Sequence, residues 1–413
     1  MLTVAIIGVG NRGRRYGGLL TKEKNVKITA LCEKNESFLS TYGAKWKVEK
    51  NNCFLSDEEF FKVKRADALV ITTQDRDHYG HAIKALNLGY HLLLEKPVSP
   101  FIEQVKEIRD LAASKRLNVV VCHVLRYSPY YETIKNTLDS GVIGDIVNIN
   151  HTENVGYWHF SHSFVRGNWR REEETSPVLL AKCCHDLDII HWFTGKRAVS
   201  VSSYGDLSHF THSNRPKDAP AYCLDGCPHE RTCPYHASKI YYKITRHTLP
   251  LMVVNMQLIT EVAKPTLRLL KDTLKTSPYG RCVYACDNDV LERQVTQIVL
   301  ENNVTATLTM CAFSKRCYRK IHIYGTKGEI YGNDIDGNFT VNVFGEKSRK
   351  VRPTRKEISI HNNADKGIIS EFVKLLEGRS VSRSLTTIAE TVESHNLAHF
   401  AEIARKNGQT ITY

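Results

Sequence analysis

Short apolar runs alternate with amphipathic segments over the first third of the chain. The runs are short and rich in leucine and β-branched residues, and they lie in LTVAIIGVGNRG, NVKITALCE, ADALVITTQ, YHLLLEKP and NVVVCHVLRYSPYY. Uninterrupted apolar runs of this length are typical of strands buried on both faces, and helical spacing of apolar positions separates them. The pattern predicts an α/β unit over residues 1–124, a doubly wound parallel sheet with helices on both faces.

A different pattern follows, in which longer stretches alternate apolar and polar positions. DIVNINHT, QVTQIVLENNVTATLTMCAF and RKIHIYGTKGEIYG predict strands of an open, mostly antiparallel sheet. We expect residues 125–413 to form a second α/β domain around this sheet, with a cysteine-rich insertion near residues 205–290. The late amphipathic stretch TTIAETVESHNLAHFAEIARK predicts a helix that packs back onto the body.

Composition limits the partners of the chain. The 413 residues are 42% hydrophobic, and 57 basic against 44 acidic side chains give a net charge of +13. The densest basic stretch, KSRKVRPTRKE (347–357), lacks aromatic residues and any nucleic-acid motif, so we interpret it as a solvated hairpin or loop and expect no nucleic-acid partner. No apolar run approaches the ~20 residues that span a bilayer. No charged segment with a cleavage site precedes the first strand, so we expect no membrane partner and a cytoplasmic location.

A glycine-rich turn follows the first predicted strand. Gly8, Gly10 and Gly13 form G-x-G-x-x-G between a strand and a helix, and Glu33 ends the second strand. In this context Gly8 permits a tight turn, Gly10 lets a pyrophosphate approach the backbone, and Gly13 permits close helix packing. The turn therefore predicts a dinucleotide site.

Charged residues near this turn bear on the choice of dinucleotide. Asn11 and Arg12 begin the helix whose N-terminus would stabilise the phosphates. Glu33 would accept hydrogen bonds from the adenosine ribose and repel a 2′-phosphate, which favours NAD. Arg14 and Lys34 lie close by in the sequence, so NADP stays open as the less favoured alternative.

Polar residues follow the ends of the later strands of the predicted parallel sheet. Ligands of such sheets bind beyond the carboxyl ends of the strands. Lys96 is notable because lysine is among the residues least often buried, yet it ends an apolar strand. On these grounds the further cofactor candidates are Thr72, Thr73, Gln74, His78, Glu95, Lys96 and Arg126, and Tyr127 is a substrate candidate.

Three stretches occur in an order that resembles the Gfo/Idh/MocA oxidoreductases, relatives of glucose-fructose oxidoreductase and inositol dehydrogenase. They are AIIGVGNRG, ITTQDRDHYGHAIKALNLGYHLLLEKP and RYSPYYETIKNTLDSGVIGDI. The resemblance is close over residues 1–150 and looser as far as ESHNLAHFAEIARKNGQTI. It implies a Rossmann domain and an active-site role for Lys96, near the reacting hydroxyl and the nicotinamide. It also implies a homo-oligomer, a dimer or tetramer, formed through the free face of the second sheet.

The segment SPVLLAKCCHDLDIIHWFTG predicts a helix with a second group of polar residues. Lys182, His185 and Asp188 are spaced three apart and so share one helix face. The family has a histidine followed three residues later by aspartate, which implies catalysis by His185. The family's aspartate four residues before the histidine is Ala181 here. Asp186 or Asp188, both substrate candidates, would then orient the imidazole, or Lys182 would share the proton transfer.

Other substrate candidates lie in loops. INHTENVGYWHFSHSFVRGNWRREEE is rich in His, Tyr, Trp and Arg, whose ring faces and polar tips suit a polyol, and Tyr157, His159 and His162 are its candidates. HNNADKGIISEF resembles the family's substrate-side helix start, which implies roles for His361 and Asp365.

Cysteines cluster in the insertion. YCLDGCPHERTCPYHA has the spacing C-x3-C-x5-C, and GRCVYACDNDV adds a pair. In a cytosolic protein this pattern favours metal ligation over disulfides, with structural zinc as the first interpretation and a [4Fe–4S] cluster as the alternative. Ordinary thiols in a loop also fit the pattern. The predicted ligands are Cys223, Cys227, Cys233 and Cys282, with His236 or Cys286 as alternatives for the fourth.

These observations predict an NAD-dependent oxidoreductase that transfers hydride between nicotinamide and a secondary hydroxyl of a sugar, inositol or glycoside. Lys96, Lys182 and the cationic nicotinamide ring would repel one another, which would lower the pKa of a lysine or histidine in this cluster. One member of the cluster would then be neutral near pH 7 and act as the base. The resemblance leaves a redox-neutral glycosidase, which oxidises C3, eliminates the aglycone and returns the hydride, as the alternative. A non-catalytic NAD-binding sensor is disfavoured because Lys96 and His185 are both present.

Overall fold

Six parallel strands form the first sheet, in the order β3-β2-β1-β4-β5-β6. A computed structural model describes residues 1–243, 256–353 and 362–413 of the chain. The strands are β1 (Leu2–Ile7), β2 (Val26–Cys32), β3 (Cys53–Phe54), β4 (Ala68–Ile71), β5 (His91–Leu94) and β6 (Val119–Val121). The helices between them are α1 (Asn11–Leu20), α2 (Glu36–Lys45), α3 (Asp57–Phe60), α4 (Asp77–Asn87) and α5 (Ile102–Ser114). The four residues of β4 are all buried, which is why this strand has no polar position.

Nine strands form the second sheet, in the order β14-β13-β12-β11-β7-β10-β9-β8-β15. Its strands are β7 (Ile146–Asn154), β8 (Ala198–Asp206), β9 (Arg293–Leu300), β10 (Thr305–Cys311), β11 (Tyr318–Gly325), β12 (Gly328–Asn333), β13 (Asn338–Val343), β14 (Arg349–Val351) and β15 (Ile411–Thr412). Among the pairings described in this second sheet, only that of β7 with β10 is parallel, and the others are antiparallel. The predicted fold class, a Rossmann sheet followed by an α/β unit with a mostly antiparallel sheet, is confirmed.

Helices cover one face of the second sheet. The helices described after residue 124 are α6 (Pro129–Asp139), α7 (Tyr157–Phe160), α8 (Val178–Thr194), α9 (Ala237–Tyr241), α10 (Leu267–Thr273), α11 (Asn362–Leu376) and α12 (Ile388–Asn407). Helix α8 is buried along almost its whole length, because its apolar residues pack against β7 and β10 as well as α12. The polar residues of α8 are therefore carried into the interior.

The end of the chain returns to the first sheet. Ala364, Ile368 and Phe372 of α11 share a core cluster with Val4 and Leu93, and the Val121 N–H donates to the Thr386 carbonyl. The C-terminal elements thus pack on both units, as the amphipathic pattern predicted for the last helix. The domain boundary at residues 124/125 stays a prediction.

The described ranges contain no helix that is both long enough and apolar enough to cross a membrane. Of the basic stretch at 347–357, residues 349–351 form β14, and residues 354–357 lie outside the described part of the chain.

Candidate active site

The glycine-rich turn leaves one backbone position open. Gly8 has a φ of +85°, and an added Cβ would lie 2.6 Å from the Thr72 carbonyl oxygen. A Cβ on Gly13 would lie 2.0 Å from the Gly8 carbonyl oxygen, so both positions require glycine. A Cβ on Gly10 would meet nothing within 4 Å. A ligand can therefore approach the backbone at Gly10.

Helix α1 begins next to this opening. Its N-cap residue, Gly10, makes no side-chain capping hydrogen bond. The first N–H groups of a helix have no partner within the helix, so those of Asn11 and Arg12 are suited to an anion. The open position and the uncapped helix fit the pyrophosphate of a dinucleotide.

Glu33 is anchored at the end of β2, beside the turn. Its Oε2 accepts a hydrogen bond from the Val9 N–H at 2.6 Å, and its Oε1 accepts one from the Asn35 N–H at 2.8 Å. These bonds place a carboxylate next to the first glycine of the motif, where the sequence predicted the ribose acceptor.

The nearby basic residue Arg14 is engaged by the insertion. Its Nη1 donates to Gln257 Oε1 at 2.7 Å, and its guanidinium carbon lies 4.6 Å from the centre of the Phe38 ring. The Ala263 N–H donates to Ser37 Oγ at 3.2 Å, so the same segment also contacts the start of α2. The insertion therefore reaches the end of the crevice expected to hold adenosine.

Most of the polar residues after β4 hydrogen-bond to neighbouring backbone groups, and one of them, Gln74, has a side-chain oxygen without a partner among the described residues. The Thr72 hydroxyl donates to a carbonyl of the glycine turn at 2.6 Å. The ring nitrogens of His78 face the Pro97 and Thr73 carbonyl oxygens at 2.7 and 3.1 Å, which ties two strand-end loops together. Gln74 Oε1 is buried and has no hydrogen-bond partner among the described residues. Gln74 is thus the member of this group with a polar atom left for a ligand.

Lys96 extends from the end of β5 to helix α8. Its Nζ donates to the Ala181 carbonyl oxygen at 2.8 Å. Glu95 beside it accepts from Arg12 Nε and from the Tyr16 hydroxyl, each at 2.7 Å. Burial by itself raises the pKa of Glu95, but Arg12, Lys96 and the Tyr16 hydroxyl together more than offset this, and the pKa lies below its usual value. Arg12 and Glu95 therefore form a charged support beneath Lys96.

A buried charge network surrounds Lys182. Its Nζ lies 3.1 Å from Glu153 Oε1, and Arg319 Nε lies 2.9 Å from Glu153 Oε2 and 2.7 Å from Asp186 Oδ1. Asp186 also contacts His151 Nε2 at 2.8 Å. Burial by itself lowers the pKa of Lys182, but Glu153, Cys317 and Asp186 together raise it by more, so the net shift is upward. This direction is opposite to the one expected for a neutral lysine base.

Three histidine rings form a row of edge contacts, in which His123 contacts each of the other two. The His123 ring centroid is 5.6 Å from that of His185 and 6.0 Å from that of His395. His123 is fully buried, and neither of its ring nitrogens has a hydrogen-bond partner among the described residues. His395 Nε2 accepts from the Val98 N–H at 3.0 Å. The row therefore connects α8 with the loop that follows Lys96.

Arg126 and Asp188 pair with each other. Arg126 Nε and Nη2 donate to the two Asp188 oxygens at 2.8 and 2.7 Å, and Nη1 donates to Glu390 at 2.9 Å. Arg126 and Asp188 are at most 2% exposed. The structure thus engages both in one ion pair that joins the segment after β6 to α8, whereas the sequence analysis assigned them to cofactor and substrate.

The other predicted substrate residues are dispersed. Tyr127 lies in the core beneath α11, and Asp365 pairs with Arg12 and Arg15. His159 Nδ1 lies 3.7 Å from Cys317 Sγ, and Tyr157 is half-buried beside Tyr235. His361 lies outside the described residues.

His162 faces the insertion instead of a crevice. Its Nδ1 lies 3.1 Å from the Tyr241 hydroxyl, and its ring stacks on Tyr279. Burial lowers the pKa of His162 to about 4, and it lowers the pKa of His395 to about 3. Both rings are therefore neutral in the folded protein near pH 7.

The free energy of unfolding is expected to fall as the pH drops from about 6.5 to 4. In this range the unfolded chain protonates His162, whose ordinary pKa is about 6.5, while the folded chain does not, so stability is lost on acidification. For a pKa of about 4, His162 contributes about 3 kcal/mol of this loss. The free energy of unfolding is measured by urea denaturation at several pH values. Its dependence on pH should be weaker in His162→Phe, which keeps the ring stack. Equal slopes for the variant and the unchanged protein would contradict the assignment.

The four predicted metal ligands line one cavity of about 190 Å³. They are brought together because the Cys223 N–H donates to the Gly280 carbonyl and the Cys282 N–H donates to the Ala221 carbonyl. Over the described ranges, however, no group of three or more His, Cys, Asp or Glu side chains has a geometry that could hold a metal ion. The structure therefore does not support the predicted zinc site at Cys223, Cys227, Cys233 and Cys282, nor the iron–sulfur alternative.

One of the alternative ligands is already engaged by other groups. Both ring nitrogens of His236, an alternative ligand, already contact Ser238 Oγ and the Cys223 carbonyl at 2.8 Å.

Several residues of the site were not predicted from the sequence. They are His123, His395, His151, Glu153 and Arg319. The alternation along β7 carried a usable signal, because His151 and Glu153 share the buried face with Ile149. His123 and His395 gave no such signal, since a lone histidine beside apolar residues fits an ordinary core position.

Curated proteins with similar sequences are oxidoreductases by name. The chain is 23% identical over 185 residues to a putative oxidoreductase YteT of Bacillus subtilis, covering 44% of this chain and 42% of that protein. It is 24% identical over 220 residues to an inositol 2-dehydrogenase of Corynebacterium glutamicum, covering 51% of this chain and 60% of that protein. The chain spans about half the length of the curated relatives it matches.

Solved structures share the fold over the whole chain. An oxidoreductase from Agrobacterium radiobacter, solved with NAD+, L-tartaric acid and magnesium, has a TM-score of 0.71 at 15% identity and covers 100% of this chain and 98% of its own. A scyllo-inositol dehydrogenase from Lactobacillus casei, solved with NAD(H) and scyllo-inositol, has a TM-score of 0.67 at 19% identity and covers 100% and 99%. At sequence identities of 15% and 19%, these structural similarities show the fold alone.

Two family descriptions match consecutive parts of the chain. The GFO_IDH_MocA description, an oxidoreductase family with an NAD-binding Rossmann fold, matches residues 2–123. The description of the family's C-terminal alpha/beta domain matches residues 135–404, which is more than half of the chain. Together with the strand order and the open glycine turn, these matches show that the chain belongs to the GFO_IDH_MocA oxidoreductase family.

Proposed function

We propose that this protein is an NAD-dependent oxidoreductase that transfers hydride between nicotinamide and a secondary hydroxyl of a sugar, inositol or glycoside. One observation carries the proposal: the Lys96 ammonium, at a strand end of the dinucleotide-binding sheet, is hydrogen-bonded at 2.8 Å to the Ala181 carbonyl. Ala181 lies one helical turn before His185, so the two candidate proton carriers flank the same turn of α8.

The proposed chemistry requires a proton acceptor beside a hydride acceptor. Bound nicotinamide supplies the hydride acceptor. His185 in its neutral form is the net acceptor of the hydroxyl proton. The Lys96 ammonium serves as the relay, because it takes up that proton as it gives one of its own to His185. Lys182 remains a cation because Glu153 raises its pKa. A fixed positive charge beside the reacting oxygen favours the alkoxide that develops as the proton leaves. Lys182 thus takes an electrostatic role in this proposal.

The residues around the crevice support the choice of cofactor and substrate class. Gly10, Asn11 and Arg12 suit the phosphates through the backbone, and Glu33 and Gln74 present oxygen acceptors. Relatives named as dehydrogenases of inositol and of glucose 6-phosphate support a hydroxyl-bearing carbon ring as substrate. Tyr157 and His159, which lie on a helix after β7, remain the candidates for ring contacts.

A substrate panel tests the proposal. Inositols, aldoses, sugar phosphates and aryl glycosides are incubated with the protein and NAD, and NADH and released aglycone are followed together. Stoichiometric NADH formation from one class supports the dehydrogenase. Aglycone release without NADH accumulation would replace it by the redox-neutral glycosidase. NAD binding with neither product, and without isotope exchange at any substrate carbon, would indicate a sensor.

Glu33→Gln is expected to reduce the preference for NAD over NADP by about tenfold. The amide keeps an oxygen acceptor for a backbone N–H, but it removes the charge that repels a 2′-phosphate, and hydrogen bonds to charged groups contribute about 1.5–3 kcal/mol. Fluorescence titration with both dinucleotides measures the ratio. Glu36→Gln, which removes a carboxylate from the first turn of α2, is the matched control. An unchanged ratio in Glu33→Gln would remove Glu33 from the cofactor site.

A further inference from the structure

The two carboxylates predicted to orient the His185 ring are engaged by arginines. Asp186 accepts a hydrogen bond from Arg319 Nε at 2.7 Å. Asp188 accepts two hydrogen bonds from Arg126, at 2.8 and 2.7 Å. All of these side chains are buried. These contacts leave open which group orients the ring that accepts the hydroxyl proton in the proposed reaction.

His123, which lies just beyond the end of β6, contacts the His185 ring. The two ring centroids are 5.6 Å apart and the ring planes differ by 80°, which is an edge-to-face contact. A second contact of this kind joins His123 to His395, whose Nε2 accepts a hydrogen bond from the Val98 N–H. His123 thus lies between the helix that carries His185 and the loop that follows the relay residue Lys96.

The polar atoms of the buried His123 side chain are unused. The residue is 0% exposed, and neither ring nitrogen has a hydrogen-bond partner within the described ranges. Buried side-chain nitrogens are nearly always hydrogen-bonded, and an unpaired one costs free energy that a phenylalanine at the same place would not. Burial lowers the pKa of His123, so the ring is uncharged near pH 7 and carries one lone pair and one N–H. The lone pair is available to a neighbour that becomes charged.

Charged and titratable groups from four segments act on His123. They are Glu95 and Lys96 after β5, Arg126 after β6, Asp188 and His185 on α8, and His395 on α12. Burial by itself would raise the pKa values of Glu95 and Asp188, but nearby cations and hydrogen bonds keep both below their usual values, so both are ionised. Burial lowers the pKa of His395 to about 3, so this ring stays uncharged. As a relay, Lys96 ends the proposed step as it began it, which leaves His185 as the neighbour whose charge changes.

We propose that His123 is a positioning residue for His185, which orients that ring and turns a nitrogen lone pair toward it when it becomes an imidazolium. The inference rests on the proposed function, in which the hydroxyl proton passes through Lys96 to His185 and the hydride passes to nicotinamide. His123 gains and loses no proton in this step, because it accepts a hydrogen bond from the charged ring while the proton stays on His185. Rotation about the Cβ–Cγ bond of a histidine is soft, so a small turn of either ring converts the edge-to-face contact into this hydrogen bond.

His123→Phe tests the inference, because it keeps a ring of similar shape and removes both nitrogens. The substrate found in the panel is oxidised at saturating NAD over a range of pH. We expect kcat to fall by about 10- to 100-fold with KM nearly unchanged, since a base that loses its orientation loses part of its contribution. The imidazolium is also less stabilised, so the pKa of His185 falls and the acid limb of the rate profile moves to lower pH. His123→Gln, whose amide oxygen can accept a hydrogen bond, should recover part of the rate.

Controls separate this role from folding and from the proposed function. His399→Phe changes a half-buried histidine one turn beyond His395 on α12, and its rate profile should be unchanged. Chemical denaturation should show His123→Phe to be at least as stable as the unchanged protein, because no unpaired nitrogen remains buried. An unchanged rate profile in His123→Phe beside a strongly slowed His185→Ala would overturn this inference and leave the proposed function in place. A rate in His123→Gln no higher than in His123→Phe would also overturn it, whereas near-normal rates in His185→Ala would overturn both.

A titration without substrate gives a second readout. Protein carrying isotope-labelled histidine is saturated with NAD, and the ring signal of His185 is assigned in NMR spectra by its loss in His185→Ala. The pKa of His185 should be lower in His123→Phe than in the unchanged protein. Equal His185 pKa values in the two proteins would overturn the inference, whatever the substrate panel shows.

Discussion

Lys96→Ala is expected to lower kcat by ~100- to 10,000-fold, the usual contribution of a positioned general acid or base, while NAD affinity changes little. The ammonium is held between the dinucleotide-binding sheet and α8 by its bond to the Ala181 carbonyl. Its removal deletes a proton carrier without altering the glycine turn. Steady-state kinetics with the substrate found in the panel, together with NAD titration, measures the two effects separately.

Companion variants define the role of Lys96. His185→Ala should fall in the same range, and the double variant should be little worse than the poorer single one, because groups that act as a unit are not additive. Lys182→Met should lower kcat less than Lys96→Ala at every pH, since its raised pKa makes it a fixed charge in the proposed site. Lys115→Ala, an exposed lysine at the end of α5, is the control. Near-normal rates in Lys96→Ala and His185→Ala would refute the proposed site.

Arg126→Met is expected to lower the free energy of unfolding by about 3–5 kcal/mol, the effect of removing one partner from a buried ion pair. Asp188 would be left in the interior without the two hydrogen bonds that lower its pKa. Chemical denaturation measures the loss. Arg109→Met is the matched control, because Arg109 pairs with Asp110 at the surface, where water screens the pair and its removal should leave the free energy of unfolding almost unchanged.

A second variant separates structure from cofactor binding. Arg126→Met combined with Asp188→Leu should be less destabilised than the sum of the single variants, because apolar replacement of both partners removes the unpaired charge. Small destabilisation of Arg126→Met with strongly weakened NAD binding would instead return Arg126 to the cofactor site that the sequence indicated.

The parallel sheet and its ligand edge followed from sequence because both depend on local pattern. Short, mostly apolar runs identified β1, β2, β4 and β5, since a strand covered on both faces has few polar positions. The glycines were equally local: Gly8 and Gly13 are required by contacts within one strand–turn–helix unit. The family resemblance rested on these same stretches.

The roles of the buried charged residues did not follow from sequence. Arg126 was assigned to the cofactor because it follows a strand end, and Asp188 was assigned to the substrate because it shares a helix with His185. Both placements are true in the structure. Their mutual pairing spans 62 residues of sequence, and no local pattern encodes it. The cysteines show the same limit, because their spacing suggested a metal site, whereas the described side chains form no group with a metal-binding geometry.

The sequence by itself determined the fold class, the glycine turn and the placement of Lys96 at the dinucleotide edge. These features arise from residues within one turn or one strand of each other, where periodicity and steric limits act directly. Only the tertiary structure decided which charges neutralise each other, as in the bond of Arg12 to Asp365 across 353 residues and the contact of Lys182 with Glu153. Electrostatic pairing depends on distance in space and on burial, and both are set by the packing of the two sheets and the returning C-terminal helices.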